Sequence, residues 1–395
     1  MTTPKSKWLS EPLRAIRERP VKPTLATVLG FIILILLTNC EQQTNGVAEP
    51  GALPALRVDV AQTTVSGISS GAYMAGQFQM AHADLVIGAA IIAGGPYGCA
   101  ESAFSGIVPG PGQVFLNSSR AVSGCMLNAL SVWGVPNAEK LARRAKTRSQ
   151  DGEIGRIADI TSDQVYLFTG KRDQIVRPGI VRATNRFYQA LGVPEDQIKL
   201  VDNLDAGHAF ITLEKGLACS TGKTPFVEDC DYDQAGSLLQ HLYGDLEPAA
   251  DQPGGSFVTF DQAIYTQGLK THGMAAEGVA YIPQSCRSDG GAGGQLDRKA
   301  GPGCRVHVAY HGCAQNIKAV GDAFVRDTGF ARWADRNRLV VLYPQTKASA
   351  LNPQGCWDWW GFTSQKYLTR EAPQIIAVHR MLRALSGAQP ASPPM

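Results

Sequence analysis

The chain has 395 residues, 44% hydrophobic and 18% charged, with 42 Gly and 23 Pro. This globular composition allows one large domain or two ordinary ones; with a single long apolar run it excludes a disordered chain, a coiled coil and a polytopic membrane protein. The formal charge of +3 is uneven, with a net +4 in residues 1–39 and a net −1 over the remainder, so the folded part has no basic footprint for nucleic acid.

The first element is an address. Lys5, Lys7, Arg14, Arg17, Arg19 and Lys22 precede residues 25–37 (LATVLGFIILILL), a run that fits a signal-peptide core and is short for a spanning helix. An uncleaved signal anchor is the alternative. Leu37-Thr38-Asn39-Cys40 resembles a bacterial lipoprotein box, with Asn39 departing from the usual small residue, so Cys40 is a candidate lipidation site and membrane tether. A cut after Ala48 is a further option. Each outcome places the rest of the chain outside the cytoplasm. Residues 41–54 read as a tether, 55–386 as a single catalytic domain and 387–395 as a Pro-rich disordered tail.

Residues 63–66 then read as the end of a strand and 72–81 as a helix. Residues 86–93 and 165–169 are continuous apolar runs, the signature of buried parallel strands. Residues 180–191 have helical spacing closed by Gly192, and 198–201 form a further short strand. Strand signals recur at 306–310 and 339–343, with 324–337 read as a helix between them. Residues 106–112 and 288–303 are Gly-rich loops. Alternation of strand and helix argues for an α/β sheet with crossover helices.

Besides Cys40 there are eight cysteines, an even number that in an exported chain reads as disulfides, although 105 connectivities are possible. Sequence neighbours suggest Cys99–Cys125, Cys219–Cys230, Cys286–Cys304 and Cys313–Cys356. None lies in a C-x-x-C pair and no His is interleaved at ligand spacing, which argues against a zinc site.

Chemistry enters with Gly67-Ile68-Ser69-Ser70-Gly71, a G-x-S-x-G pattern. It is weak alone, but between a strand and a helix it is the setting of a serine nucleophile on a sharp turn. Ser69 is then the nucleophile, and the N–H of Ser70 enters the oxyanion hole. A serine needs a base and the base an orienting acid. Asp173 follows the strand VYLFT and His208 the strand IKLVD, both at strand C-terminal ends, where open α/β sheets keep their sites. Asp205 is the rival acid. The order Ser69, Asp173, His208 is that of α/β-hydrolases. One feature is displaced: the only strand followed by His-Gly is 306–310, leading into His311-Gly312-Cys313-Ala314-Gln315, after the triad and not before the nucleophile. A circularly permuted sheet, with its two halves interleaved, accounts for this.

GISSGAYMAGQFQ, IIAGGPYGC, the Asp173 and GHAF segments, YHGCAQ and NPQGCWDWWGF together resemble the poly(3-hydroxybutyrate) depolymerases of the single-domain, circularly permuted α/β-hydrolase type, over roughly residues 56–385. The resemblance implies a serine hydrolase with Ser69, Asp173 and His208 as triad and no cofactor or metal. It also implies that Cys313 lends a backbone donor to the oxyanion hole, its sulfur free to bridge Cys356, and that Trp357 lines the substrate cleft. The expected partner is a polyester or oligoester. Depolymerases that attack solid polymer commonly carry a further binding domain; none is expected after residue 385, so oligomers or an amorphous surface are expected substrates alongside granules. The clustered Trp357, Trp359 and Trp360 suit an aromatic wall for a methyl-bearing ester chain, with two of the three expected in the core. An esterase of plant-wall feruloyl or acetyl esters and a non-catalytic polymer-binding protein are the alternatives.

Overall fold

The computed structural model describes residues 50–104, 107–108, 110–287 and 303–388. The signal, Cys40, most of the expected tether, the 288–302 loop and the end of the tail lie outside the described residues. Eleven strands are present among them: β1 (Asp59–Ile68), β2 (Val86–Ile92), β3 (Gln164–Phe168), β4 (Ile198–Val201), β5 (Phe210–Thr212), β6 (Leu217–Ala218), β7 (Val227–Asp229), β8 (Ser256–Asp261), β9 (Glu277–Ile282), β10 (Arg305–Tyr310) and β11 (Leu339–Tyr343). Eight of these form one sheet in the order β4-β3-β2-β1-β10-β11-β9-β8, and β5-β7-β6 form a small second one. Pairing is parallel from β4 across to β11, while β9 runs antiparallel to both β11 and β8.

The permutation is visible in this order. In the unpermuted α/β-hydrolase the oxyanion loop precedes the nucleophile in the chain. Here the strand leading into Ser69, the candidate nucleophile, comes first, and the strands that ordinarily lead the chain follow as β8–β11. The two halves meet at the centre, where β1 pairs with β10.

Period-two alternation divides the core. On β3, Val165 and Leu167 face one layer while Tyr166 and Phe168 face the other; on β11, Val340 and Leu342 oppose Leu339, Val341 and Tyr343. The longer helices cover both faces. Helix α1 (Ser70–Ala81) is buried along its whole length. The first layer also takes α4 (Pro178–Leu191) and α6 (Pro373–Leu385), through Val181 and Phe187 and through Ile375, Val378 and Leu382. The other takes α5 (Gln234–Tyr243) through Leu238, Leu239 and Leu242. Helices α2 (Pro111–Cys125) and α3 (Ala138–Gln150) belong to the segment between β2 and β3. Pro at the first turn starts α2, α4 and α6, where its missing N–H costs no hydrogen bond. Gly192 closes α4 with φ 111°, as its sequence position predicts.

Three expectations are corrected. The tether ends before Gly51, because Gly51 O accepts from Asp261 N, and buried Leu53 donates its N–H to Tyr265 Oη at 2.8 Å. The helix expected over 324–337 is two pieces, Ala323–Arg326 and Phe330–Arg336, interrupted at Gly329 with φ 85°. The first tail residues cap α6, with Gly387 N bonded to Ala384 O and Ala388 N to Arg383 O. All four disulfides pair as sequence neighbours suggest.

Buried titratable groups make the fold pH-sensitive in two directions. His307 spans Thr64 Oγ1 and Ser66 Oγ, 2.7 Å from each, and burial pushes it down to about 3. Burial likewise lowers His311 to about 4 and His82 to about 3, the latter helped by His379 and Arg370. Below about pH 6.5 the unfolded chain binds these protons and the folded chain does not, so each group removes ~1.4 kcal/mol of stability per pH unit as pH falls. Asp163 acts oppositely: burial raises it to about 8, with Gln79 Nε2 donating at 2.7 Å. Between about pH 4 and 8 the folded chain holds a proton that the unfolded chain lacks, so stability falls as pH rises through that window. Calorimetry should therefore show a steep acid limb below about pH 6, relieved at His307 by a neutral isostere such as His307→Gln if that variant folds. Asp163→Asn, which keeps an acceptor for Gln79, should raise Tm at pH 8 by several degrees and leave it nearly unchanged at pH 4. Equal Tm at pH 8 would mean that Asp163 ionises without cost.

Candidate active site

Strand β1 passes into α1 at Ser69, whose φ of 57° and ψ of −121° are costly for a non-glycine residue, ~1–3 kcal/mol. Backbone bonds hold it there: Ser69 N donates to Ile92 O at 2.9 Å, and Ser69 O accepts from Ala72 N at 3.0 Å and Tyr73 N at 3.2 Å. The glycines of the motif are steric requirements. A Cβ on Gly67 would collide with Gly71 O, and one on Gly71 with the carbonyl oxygens of Tyr310 and His311. Gly71 thus admits the end of β10 against the start of α1.

Asp173 and His208 leave adjacent parallel strands, and their loops are laced by backbone bonds. Lys171 N donates to Leu204 O at 2.9 Å and Arg172 N to Ala206 O at 3.0 Å, with Gly170 leaving room for the Ala206 carbonyl. Asp173 is fully buried. Its Oδ1 accepts from Ile175 N and Val176 N, each at 2.8 Å, and its Oδ2 lies 2.8 Å from His208 Nδ1. An ionised carboxylate can only accept, so the imidazole proton sits on Nδ1 and Nε2 keeps its lone pair. The rival Asp205 is engaged elsewhere, in an exposed ion pair with Arg172 at 2.5 Å.

The His208 loop has a brace that sequence reasoning missed. Buried Glu228 on β7 accepts from Gly207 N at 3.4 Å, from Ser220 N at 2.9 Å and from Gly222 N. Phe226 meets the imidazole edge-on at 6.2 Å.

Beyond β10, the backbone N–H groups on either side of Cys313 are taken. Gly312 N donates to Gln315 Oε1 and Ala314 N to Gln354 O, both at 2.7 Å. The N–H groups of Cys313 and of Ser70 have no acceptor among the described residues. A Cβ on Gly312 would lie 3.4 Å from Ser69 Cβ, so this loop rests on Ser69. His311 locks the turn: Nδ1 donates to Gly312 O at 2.7 Å and Nε2 accepts from Thr346 N at 3.2 Å, the arrangement of a neutral ring. Gln315 does more than its place in YHGCAQ revealed. Its Nε2 donates to Pro225 O at 3.0 Å and Phe226 O at 3.1 Å, joining the Cys313 loop to the wall beside His208.

The Cys313–Cys356 bridge ties this loop to the tryptophan segment. From there Trp357 N donates to Ser70 Oγ at 3.3 Å. Asp358, fully buried, folds the segment by accepting from Gly361 N, Phe362 N, Thr363 N and Thr363 Oγ1. Burial raises its carboxyl, opposed by those donors. Trp357 is also fully buried, edge-on to Tyr310 at 4.9 Å and tilted on His311 at 5.5 Å. It therefore backs the site and is not an open cleft wall, a correction to its expected place, although its indole N–H has no hydrogen-bond partner among the described residues. Trp359 is buried and stacked on Tyr73 at 3.9 Å, leaving half-buried Trp360 as the most open of the three.

If Gln315 positions the Cys313 N–H, Gln315→Ala should slow fluorophosphonate labelling of Ser69 by about tenfold or more, a fraction of the ~3 kcal/mol that one oxyanion donor supplies. Gln315→Glu, which keeps an acceptor for Gly312 N but loses both donors, should fall between. An unchanged labelling rate in folded Gln315→Ala counts against the coupling.

A scan against protein-family models finds no match. Two curated proteins are similar. A poly(3-hydroxybutyrate) depolymerase of Delftia acidovorans is 39% identical over 346 residues, 87% of this chain. The chain spans only 63% of that protein's length. A polyhydroxybutyrate depolymerase of Talaromyces funiculosus is 31% identical over 329 residues, 79% of this chain and 85% of that protein. Among solved structures, a PHB depolymerase complexed with an R3HB trimer superposes with a TM-score of 0.70 at 29% identity, and the PHB depolymerase of Penicillium funiculosum with 0.69 at 29%. Each comparison covers 86% of this chain and 100% of the other. By sequence and by fold, the chain belongs to the poly(3-hydroxybutyrate) depolymerase family.

Proposed function

We propose that the protein is an exported serine esterase that hydrolyses poly(3-hydroxybutyrate) or 3-hydroxyalkanoate oligomers through an acyl-enzyme. The observation that carries the chemistry is a pair of backbone N–H groups near Ser69, those of Ser70 and Cys313, without acceptors among the described residues. The polyester half is supported by the relatives' names and by a related structure's R3HB trimer. Export is supported by four disulfides and by the apolar run ahead of Cys40. Among the described residues no helix is long and apolar enough to cross a membrane.

In this mechanism His208 Nε2 takes the hydroxyl proton of Ser69 as Oγ attacks the ester carbonyl. Asp173 holds the ring and stabilises the imidazolium that forms. The tetrahedral oxyanion accepts from Ser70 N–H and Cys313 N–H, each of which contributes ~3 kcal/mol at the transition state. Collapse expels the 3-hydroxyl, which takes the proton from His208 and leaves an acyl group on Ser69. Water, deprotonated by His208, then attacks the acyl carbonyl and regenerates the hydroxyl. Every proton has a side-chain carrier, so chelators should leave the rate unchanged. The strained Ser69 backbone and the buried Asp173 keep these groups in place before substrate arrives.

A fluorophosphonate should label Ser69 and no other serine, and labelling should fall when His208 is replaced. Ser69→Ala should abolish turnover. Ser70→Ala keeps its N–H and loses only the acceptor for Trp357 N, so it should retain much of the rate. Product analysis should detect 3-hydroxybutyrate released from oligomer or amorphous polymer. Activity on methyl ferulate without release of 3-hydroxybutyrate would overturn the substrate assignment, and labelling at Ser70 would overturn the mechanism.

A further inference from the structure

Beside the Cys313 loop, on the side of the sheet away from Asp173 and His208, lies a cavity of about 600 Å³. No member of the triad lines it. Its walls come from the β8–β9 hairpin, the chain leaving β11 and the chain leaving β10, and include Val279, Ala314, Ile317 and Pro353. Ala314 directly follows Cys313, and Gln354, which holds the Ala314 N–H, lines the same cavity. The hollow therefore shares a wall with the oxyanion loop. Three charged residues complete it: Lys318, Lys347 and Glu277. None of the three side chains forms an ion pair or hydrogen bond among the described residues, and together they leave the lining one positive charge. Apolar walls with unpaired ammonium groups suit a short apolar chain ending in a carboxylate.

Chain chemistry and sheet geometry agree on how such a ligand reaches the nucleophile. From β1 to β9 are three strand steps, ~14 Å at the ordinary spacing. A 3-hydroxyacid ester unit has four backbone bonds, about 5 Å when extended, so about three units cover that span. In an oligoester the free carboxyl belongs to the leaving-group side of every scissile ester. We propose that this cavity is a distal subsite for the carboxylate end of a 3-hydroxyacid oligoester, drawing the chain past the oxyanion loop so that an ester about three units upstream meets Ser69. The assignment rests on the polyester reading above.

The test uses the tetramer of 3-hydroxybutyrate in two forms, free acid and methyl ester, and compares their Michaelis constants in the wild-type protein and in Lys318→Gln/Lys347→Gln. Taking the acid-to-ester ratio within each protein cancels any general loss of activity. The wild type should favour the free acid about fivefold or more, an advantage that salt diminishes and the double variant abolishes. Equal Michaelis constants in the wild type, or an undiminished preference in the variant, overturn the subsite. If the tetramer is not cleaved while p-nitrophenyl acetate is, the polyester reading fails separately. The subsite is then decided by inhibition of p-nitrophenyl acetate hydrolysis. Stronger inhibition by the acid tetramer than by its ester, lost in the variant, supports it, and equal inhibition overturns it.

Discussion

Two glycine-permitted contacts at the centre of the sheet govern the site. The carbonyls ending β10 press on the position where Gly71 lacks a Cβ, and the next turn rests on Ser69 through Gly312. β1 and β10 lie far apart in the chain yet pair as neighbours, so Ser69 and the Cys313 loop follow separate segments with ladder hydrogen bonds between them. The surrounding groups hold that contact. His311 fixes the turn from beneath, Gln315 from the His208 side, and the Cys313–Cys356 bridge from the tryptophan segment. A Cβ at Gly71 would open this joint before it touched any reacting atom.

Two buried carboxylates near the joint gather backbone donors. Glu228 gathers three backbone N–H groups, and Asp358 gathers three together with the Thr363 hydroxyl. Removing one partner from such a network strands the others in a low-dielectric interior, which favours one loop conformation over many. The same burial forces His307 and His311 to stay neutral. Loop geometry and acid sensitivity therefore share one cause.

The disulfides fasten segments that lie between the main strands. Cys219–Cys230 spans the turns of the small sheet that follows the His208 loop, and Cys286–Cys304 closes the segment ahead of β10. In the chain-entropy account, loops with separations of 11 to 43 residues each contribute ~3–4 kcal/mol by restricting the unfolded chain. They hold irregular loops without asking those loops to build a core of their own.

The strand signals, the elbow glycines, and the positions of Asp173 and His208 after their strands were legible in the sequence, because periodicity and turn chemistry are local. The misplaced His-Gly after residues 306–310 was enough to infer the permuted order. Neighbouring cysteines paired correctly because each pair joins segments close in the chain. The roles of Gln315 and Glu228 were not legible. A buried polar side chain is defined by its partners, and theirs lie up to 90 residues away for Gln315 and 21 for Glu228. The position of Trp357 was misjudged for the same reason, since it packs against Tyr310 and His311 at the end of β10, distant in the chain. Gly329 divided the expected 324–337 helix because packing of Phe330 and Trp333 against the second core layer outweighed continuous helical spacing. Sequence by itself determined which residues could do chemistry and on which elements they sit. Only the tertiary structure decided that the N–H groups of Ser70 and Cys313 have no acceptor among the described residues, because the fold gives Gly312 N and Ala314 N to Gln315 and Gln354 and leaves Cys313 N between them without one.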